Sequence, residues 1–101
     1  MSDILIDREE ELKVKANEAY KRGAIKCKNL PKTSPICLSL ALNYSVFMSE
    51  VMHSKEEAIA ISKEAFEGAI GEIELLDEEE FKDSAKILEI LHHNLKNLAN
   101  L

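Results

Sequence analysis

Leu40-Ala41-Leu42-Asn43-Tyr44-Ser45-Val46-Phe47, with Glu50 one turn beyond Val46, is the stretch whose reading decides the fold. It places a carboxamide and two aliphatics at positions 42, 43 and 46 of an amphipathic helix. An asparagine between Leu42 and Val46 is foreign to a plain core stripe. It suits a surface that holds a peptide backbone, because a carboxamide offers a donor and an acceptor together. The stretch reads as a helical binding surface.

Outward from it, punctuation marks four helices, at about 8–28, 35–52, 55–75 and 78–98. Ser34-Pro35 is a start signal, a cap followed by proline at the first helical position. Upstream, Asp7 with Glu10 three residues on opens the first helix. Its small-residue stripe of Leu12, Ala16, Ala19, Gly23 and Cys27 lets a neighbouring helix approach closely. Leu30-Pro31 ends it, since the residue before proline is pushed out of the α region. Downstream, Ser54 with Glu57 spells a capping box ahead of an inward face of Ala58, Ile61, Ala65, Phe66, Ala69, Ile70 and Ile73. Asp77 with Glu80 opens the last helix, whose core stripe is Phe81, Ala85, Leu88, Leu91, Leu95 and Leu98. A second edge of that helix, Ile87, Ile90, Asn94 and Leu98, again sets aliphatics around one asparagine. Short connections imply antiparallel neighbours.

Composition agrees. The chain has 101 residues, 46% hydrophobic and 32% charged, with only 3 Gly and 2 Pro, as an all-helical single domain over 1–101 requires. A net charge of −6 makes nucleic acid and anionic membranes poor partners. Met1-Ser2-Asp3 carries no basic leader, and no apolar run approaches the ~18 residues of a membrane span, so the expected location is cytoplasmic. Cys27 and Cys37 flank the turn between the first two helices. The expectation for them is two reduced, partly buried thiols, with a disulfide as the alternative.

The segment from Ser34-Pro35-Ile36 through Leu42-Asn43 to Glu50 resembles the 14-3-3 family of phosphoserine/phosphothreonine-binding adaptors. So do Ala65-Phe66-Glu67-Gly68-Ala69-Ile70-Gly71-Glu72 and Lys82-Asp83-Ser84 through Asn94-Leu95, and the likeness covers about positions 8 to 98. The resemblance implies the C-terminal half of that family's helical horseshoe: all-α, with four antiparallel helices in a layer or loose bundle. It also implies roles. Asn43 and Asn94 would hold the main chain of an extended phosphopeptide. Leu42, Val46, Ile87, Ile90 and Leu98 would wall the groove, and Glu50 would lie near a basic cluster. In the family, the lysine, arginines and tyrosine that grip the phosphate lie upstream of the aligned segment, as does the dimer interface. The implied reading is an adaptor fragment, truncated or cut, with a groove wall but no phosphate cradle. Its phosphoserine or phosphothreonine partners would bind only once the missing N-terminal half is added. Five positions depart from the family: Lys86 for a groove leucine, Met48 and Ser49 for bulky aromatics, His93 for an acid and Leu98 for a tryptophan.

Other readings are weaker. His92 and His93 point about 100° apart on a helix and make a poor chelating pair, so no metal or cofactor is expected. No Gly-rich phosphate loop and no nucleophile–base pair is present, which argues against an enzyme. Asn43-Tyr44-Ser45 fits the glycosylation sequon but lies within a helix. The alternative function is a free-standing helical module that homo-oligomerises through the apolar groove face. An enzyme accessory subunit ranks third.

Overall fold

The computed structural model describes residues 2–100, with side chains from Arg8 onward. It consists of α1 (Ser2–Cys27), α2 (Pro35–Glu50), α3 (Lys55–Ile70), a 3-10 turn (Ile73–Leu75) and α4 (Glu78–Ala99), with no strand among the described residues. The all-α expectation holds.

Contacts fix the directions. Cys27 is bonded to Cys37, Gly23 faces Leu40, and Tyr20 stacks on Tyr44, so α1 and α2 run antiparallel. Phe66 stacks on His92 with centroids 4.8 Å apart, and Ala58 packs with Leu98, so α3 and α4 are antiparallel as well. Two hydrogen bonds, from Ser84 to Thr33 and from Asn94 to Ser45, then set α2 and α4 side by side and parallel.

Two apolar clusters hold α2, α3 and α4 together. One centres on Leu38, Ala69, Ile73, Leu88 and Leu91, and the other on Tyr44, Met48, Ala58 and Leu98. Buried hydroxyls complete the packing. Ser62 donates to Ala58 O at 2.6 Å within α3, and Ser84 donates to Thr33 O at 2.6 Å, tying α4 to the α1–α2 turn. Each satisfies itself on a main-chain carbonyl, which is what lets a hydroxyl be buried cheaply.

Among the described residues α1 packs on α2 alone. The radius of gyration is therefore 15.3 Å, against about 13 Å for a compact domain of this size. Gly23 sets how close the two helices lie, since a Cβ there would stand 3.0 Å from Leu40 Cδ2.

Several local expectations need correction. The backbone of α1 is helical from Ser2, so Asp7 lies inside the helix and does not cap it; its side chain falls outside the described residues. Neither Ser34 nor Ser54 caps through its hydroxyl. Ser34 leads into Pro35 from an extended conformation, which proline imposes. At Ser54 the turn is tighter: His53 sits at φ 54, and the Ser54 N–H returns to Met48 O at 2.7 Å. Asp77 does cap, accepting from Glu80 N at 2.8 Å. Helix α3 ends at Ile70, Gly71 follows, and the 3-10 turn carries Ile73 into the core. Leu12, Ile70 and Phe81, read as inward-facing, are exposed. Leu12 lies on a side of α1 that no described residue covers, and Ile70 is rotated about 100° around α3 from the buried Ala69.

The cysteines differ most from expectation. Instead of two thiols, the sulfurs are bonded, with the Cα atoms 5.8 Å apart. The turn closes tightly through Leu30 N to Cys27 O and Ser34 N to Pro31 O, bringing the end of α1 against the first turn of α2.

Candidate functional site

The residues singled out on α2 and α4 divide by depth. Leu42 and Ile87 are half-buried and flank the same apolar cluster, so each helix contributes one of these aliphatics to it. Val46 and Ile90 are exposed, at 36% and 53%. Asn43 and Glu50 are exposed and make no side-chain hydrogen bond among the described residues. Asn94 is half-buried and donates through Nδ2 to Ser45 Oγ at 3.2 Å; Ser45 in turn donates to Leu42 O at 2.8 Å. Leu98 stands apart from this set. At 6% exposure it belongs to the core with Tyr44, Met48 and Ala58, so it backs the seam from inside.

Sequence reasoning passed over two neighbours. Ile36, 75% exposed, and Ser39 line an open depression with Pro35, Leu40 and Asn43 on the first half of α2. Ile36 lies seven residues before Asn43 and so shares its face, a signal the helical period already carried. On α4, Lys86 lies one turn before Ile90 and shares a second depression with Glu78, Glu79, Lys82 and Asp83. Acids and lysines alternate there, so no net positive pocket forms.

Charge elsewhere is equally dispersed. Lys13 and Lys15 pair with Glu10 and Glu11 along α1, at 3.4 and 3.1 Å. No group of three or more His, Cys, Asp or Glu among the described residues is placed to hold a metal ion. No helix among them is long and apolar enough to cross a membrane. Burial, and secondarily the Glu57 carboxylate, raises the Tyr44 phenol above its ordinary value. Its hydroxyl donates to Asn17 Oδ1 at 3.3 Å across the α1–α2 interface, which makes it a packing tyrosine.

Fold and contacts together define a helical chain in which two parallel helices meet through the Asn94–Ser45 hydrogen bond and a common apolar cluster. The family model for 14-3-3 proteins matches residues 3–98, and the chain belongs to that family. It is 49% identical over 80 residues to a 14-3-3 protein homolog of Encephalitozoon cuniculi, covering 79% of this chain and 31% of that one. A homolog from Trichoderma harzianum is 42% identical over 90 residues, covering 88% and 34%. Protein BMH1 of Saccharomyces cerevisiae is 47% identical over 79 residues, covering 77% and 30%. The chain thus spans about a third of the length of the curated relatives it matches.

Proposed function

We propose that this chain supplies the apolar and asparagine wall of a groove for phosphoserine or phosphothreonine peptides. The phosphate itself would be gripped by cationic residues outside these 101 positions. What supports the reading is that α2 and α4 lie side by side, with Asn94 reaching Ser45 and with Leu42 and Ile87 packed against one apolar cluster, while Asn43, Val46 and Ile90 stay exposed. Carboxamides pair with a peptide main chain without reading its sequence, while the aliphatics accept its side chains. A phosphate carries about −1.5 to −2 charge and calls for convergent Arg or Lys. The mixed charges around Lys82 and Lys86 do not provide that convergence.

The test is a chimera in which this chain replaces the matching third of the Encephalitozoon cuniculi relative. The chimera is expected to bind a fluorescein-labelled phosphoserine peptide, measured by anisotropy, and to ignore its unphosphorylated twin. Asn43→Ala or Asn94→Ala should each weaken binding on the order of tenfold, the worth of about one charge-free main-chain pairing. The 101-residue chain alone should show no phosphate-dependent binding. If it binds the phosphopeptide unaided, the assignment of the phosphate grip to other residues is wrong.

A further inference from the structure

The two seam asparagines are not equivalent, and the difference lies in Ser45. This residue is fully buried on α2, and its hydroxyl has one proton to give. That proton goes to Leu42 O, 2.8 Å away, because a carbonyl can only accept. Toward Asn94, 3.2 Å away, Ser45 Oγ therefore presents a lone pair, and the atom it meets must be an N–H donor. This supports the orientation in which the amide end of Asn94 faces inward, an assignment that heavy-atom positions alone leave open. Nδ2 points to Ser45 and Oδ1 points away. Among the described residues Oδ1 has no partner, yet no buried side-chain oxygen is left unsatisfied, so Oδ1 is open to solvent. Asn43, in contrast, is exposed and makes no side-chain hydrogen bond among the described residues.

We infer that Ser45 is a positioning residue for the peptide groove: it holds the Asn94 carboxamide so that an acceptor faces the peptide. Asn94 then takes a main-chain N–H from the bound chain, while Asn43 stays free to adapt in either sense. The inference rests on the groove reading above and adds a polarity to it. A peptide residue lying against Asn94 must bring an N–H, so proline is disfavoured at that point.

Two measurements separate the lock from the groove. In the 15N-labelled 101-residue chain, the Asn94 side-chain NH2 protons are expected to be well separated. They should exchange with water at least about tenfold more slowly than those of Asn29 in the exposed turn, the effect of one partly shielded hydrogen bond. Ser45→Ala should abolish that difference while the backbone amides of Leu38 and Leu91 keep their protection. Ser45→Thr, which keeps the hydroxyl, should restore it. Should the added methyl fail to fit the packed site, the wild-type comparison of Asn94 with Asn29 decides by itself. Equal exchange at these two residues in the wild-type chain overturns the proposal, whatever any peptide does.

The second measurement uses the chimera and the phosphoserine peptide. Ser45→Ala and Asn94→Ala should each weaken binding on the order of tenfold, and the double variant should lose no more than Asn94→Ala alone. Additive losses would mean that Ser45 acts on stability and not through Asn94, and an unchanged affinity in Ser45→Ala would mean that the lock has no part in binding. Either result overturns the role. A wild-type chimera that binds nothing overturns the groove reading and the binding role together, while the exchange data still report whether the lock exists.

Discussion

At the scale of single residues, chemistry here is set by what each polar group finds when it is buried. Ser45, Ser62 and Ser84 all sit on inward faces, and each donates to a main-chain carbonyl. Sequence pattern calls such positions polar and leaves them outside the core, because the carbonyl that accepts is not legible in the side chains. Asn43 and Asn94 were legible, as carboxamides interrupting aliphatic stripes; that one is bonded and the other free was not. Tyr44 gives a prediction at this scale. Burial first and Glu57 second raise its pKa above the ordinary 10.0, so the folded chain favours the neutral phenol. That preference is fully present below the unfolded value and is lost as pH rises through the higher folded one. Stability should therefore fall above about pH 10, as the unfolded chain releases the proton first. Urea denaturation of wild type and Tyr44→Phe, compared between pH 8 and pH 11, checks this. The variant should lose less stability over that interval, and equal losses would remove Tyr44 as the cause.

At the scale of elements, the weakly held piece is α1. It touches α2 alone among the described residues, through Tyr20 on Tyr44 and Phe47, Asn17 on Tyr44, and Gly23 under Leu40. The Cys27–Cys37 bond ties its end to the first turn of α2 across a separation of 10 residues. A cross-link closing so short a loop contributes about 2 to 3 kcal/mol by restricting the unfolded chain. Reduction with dithiothreitol should lower the unfolding free energy by that amount. It should also speed amide exchange in α1 more than in α3. A Cys27→Ser/Cys37→Ser double variant should match the reduced protein and be indifferent to reductant. Equal behaviour of oxidised and reduced protein would show that the bond does not restrain this junction. The four helices themselves were readable from period and punctuation. Their starts were less so. Among the described residues only Asp77 caps as its spelling suggests, because the turns before Ser34 and Ser54 aim the backbone elsewhere.

At the scale of the whole molecule, three helices make a small two-cluster core and the fourth lies along one side of it. Helix α2 exposes Ile36 and Val46 beside Asn43 and Glu50, and α4 exposes Ile90 beside Lys86, surfaces polar enough to stay wet. Light scattering on the purified chain is therefore expected to return 11.4 kDa over a wide concentration range, with Val46→Asp unchanged. A mass that doubles with concentration and falls back in Val46→Asp or Ile90→Asp would transfer the face to self-association. The net charge of −6 works against that outcome, since like-charged copies repel at low salt.

What the sequence determined by itself was the helical class, the approximate helices and the two stripes carrying Asn43 and Asn94. Helical period, proline and scarce glycine are local signals, and each acts within a few residues of chain. Tertiary structure alone decided that α2 and α4 lie side by side, and that Leu12, Ile70 and Phe81 turn out. It also decided that Cys27 meets Cys37 and that Ser45 takes the Asn94 carboxamide in hand. Those pairings join residues of different helices, Ser45 and Asn94 lying 49 positions apart. A hydrogen bond or a packed seam depends on where the partner helix sits, which no periodicity within one helix encodes.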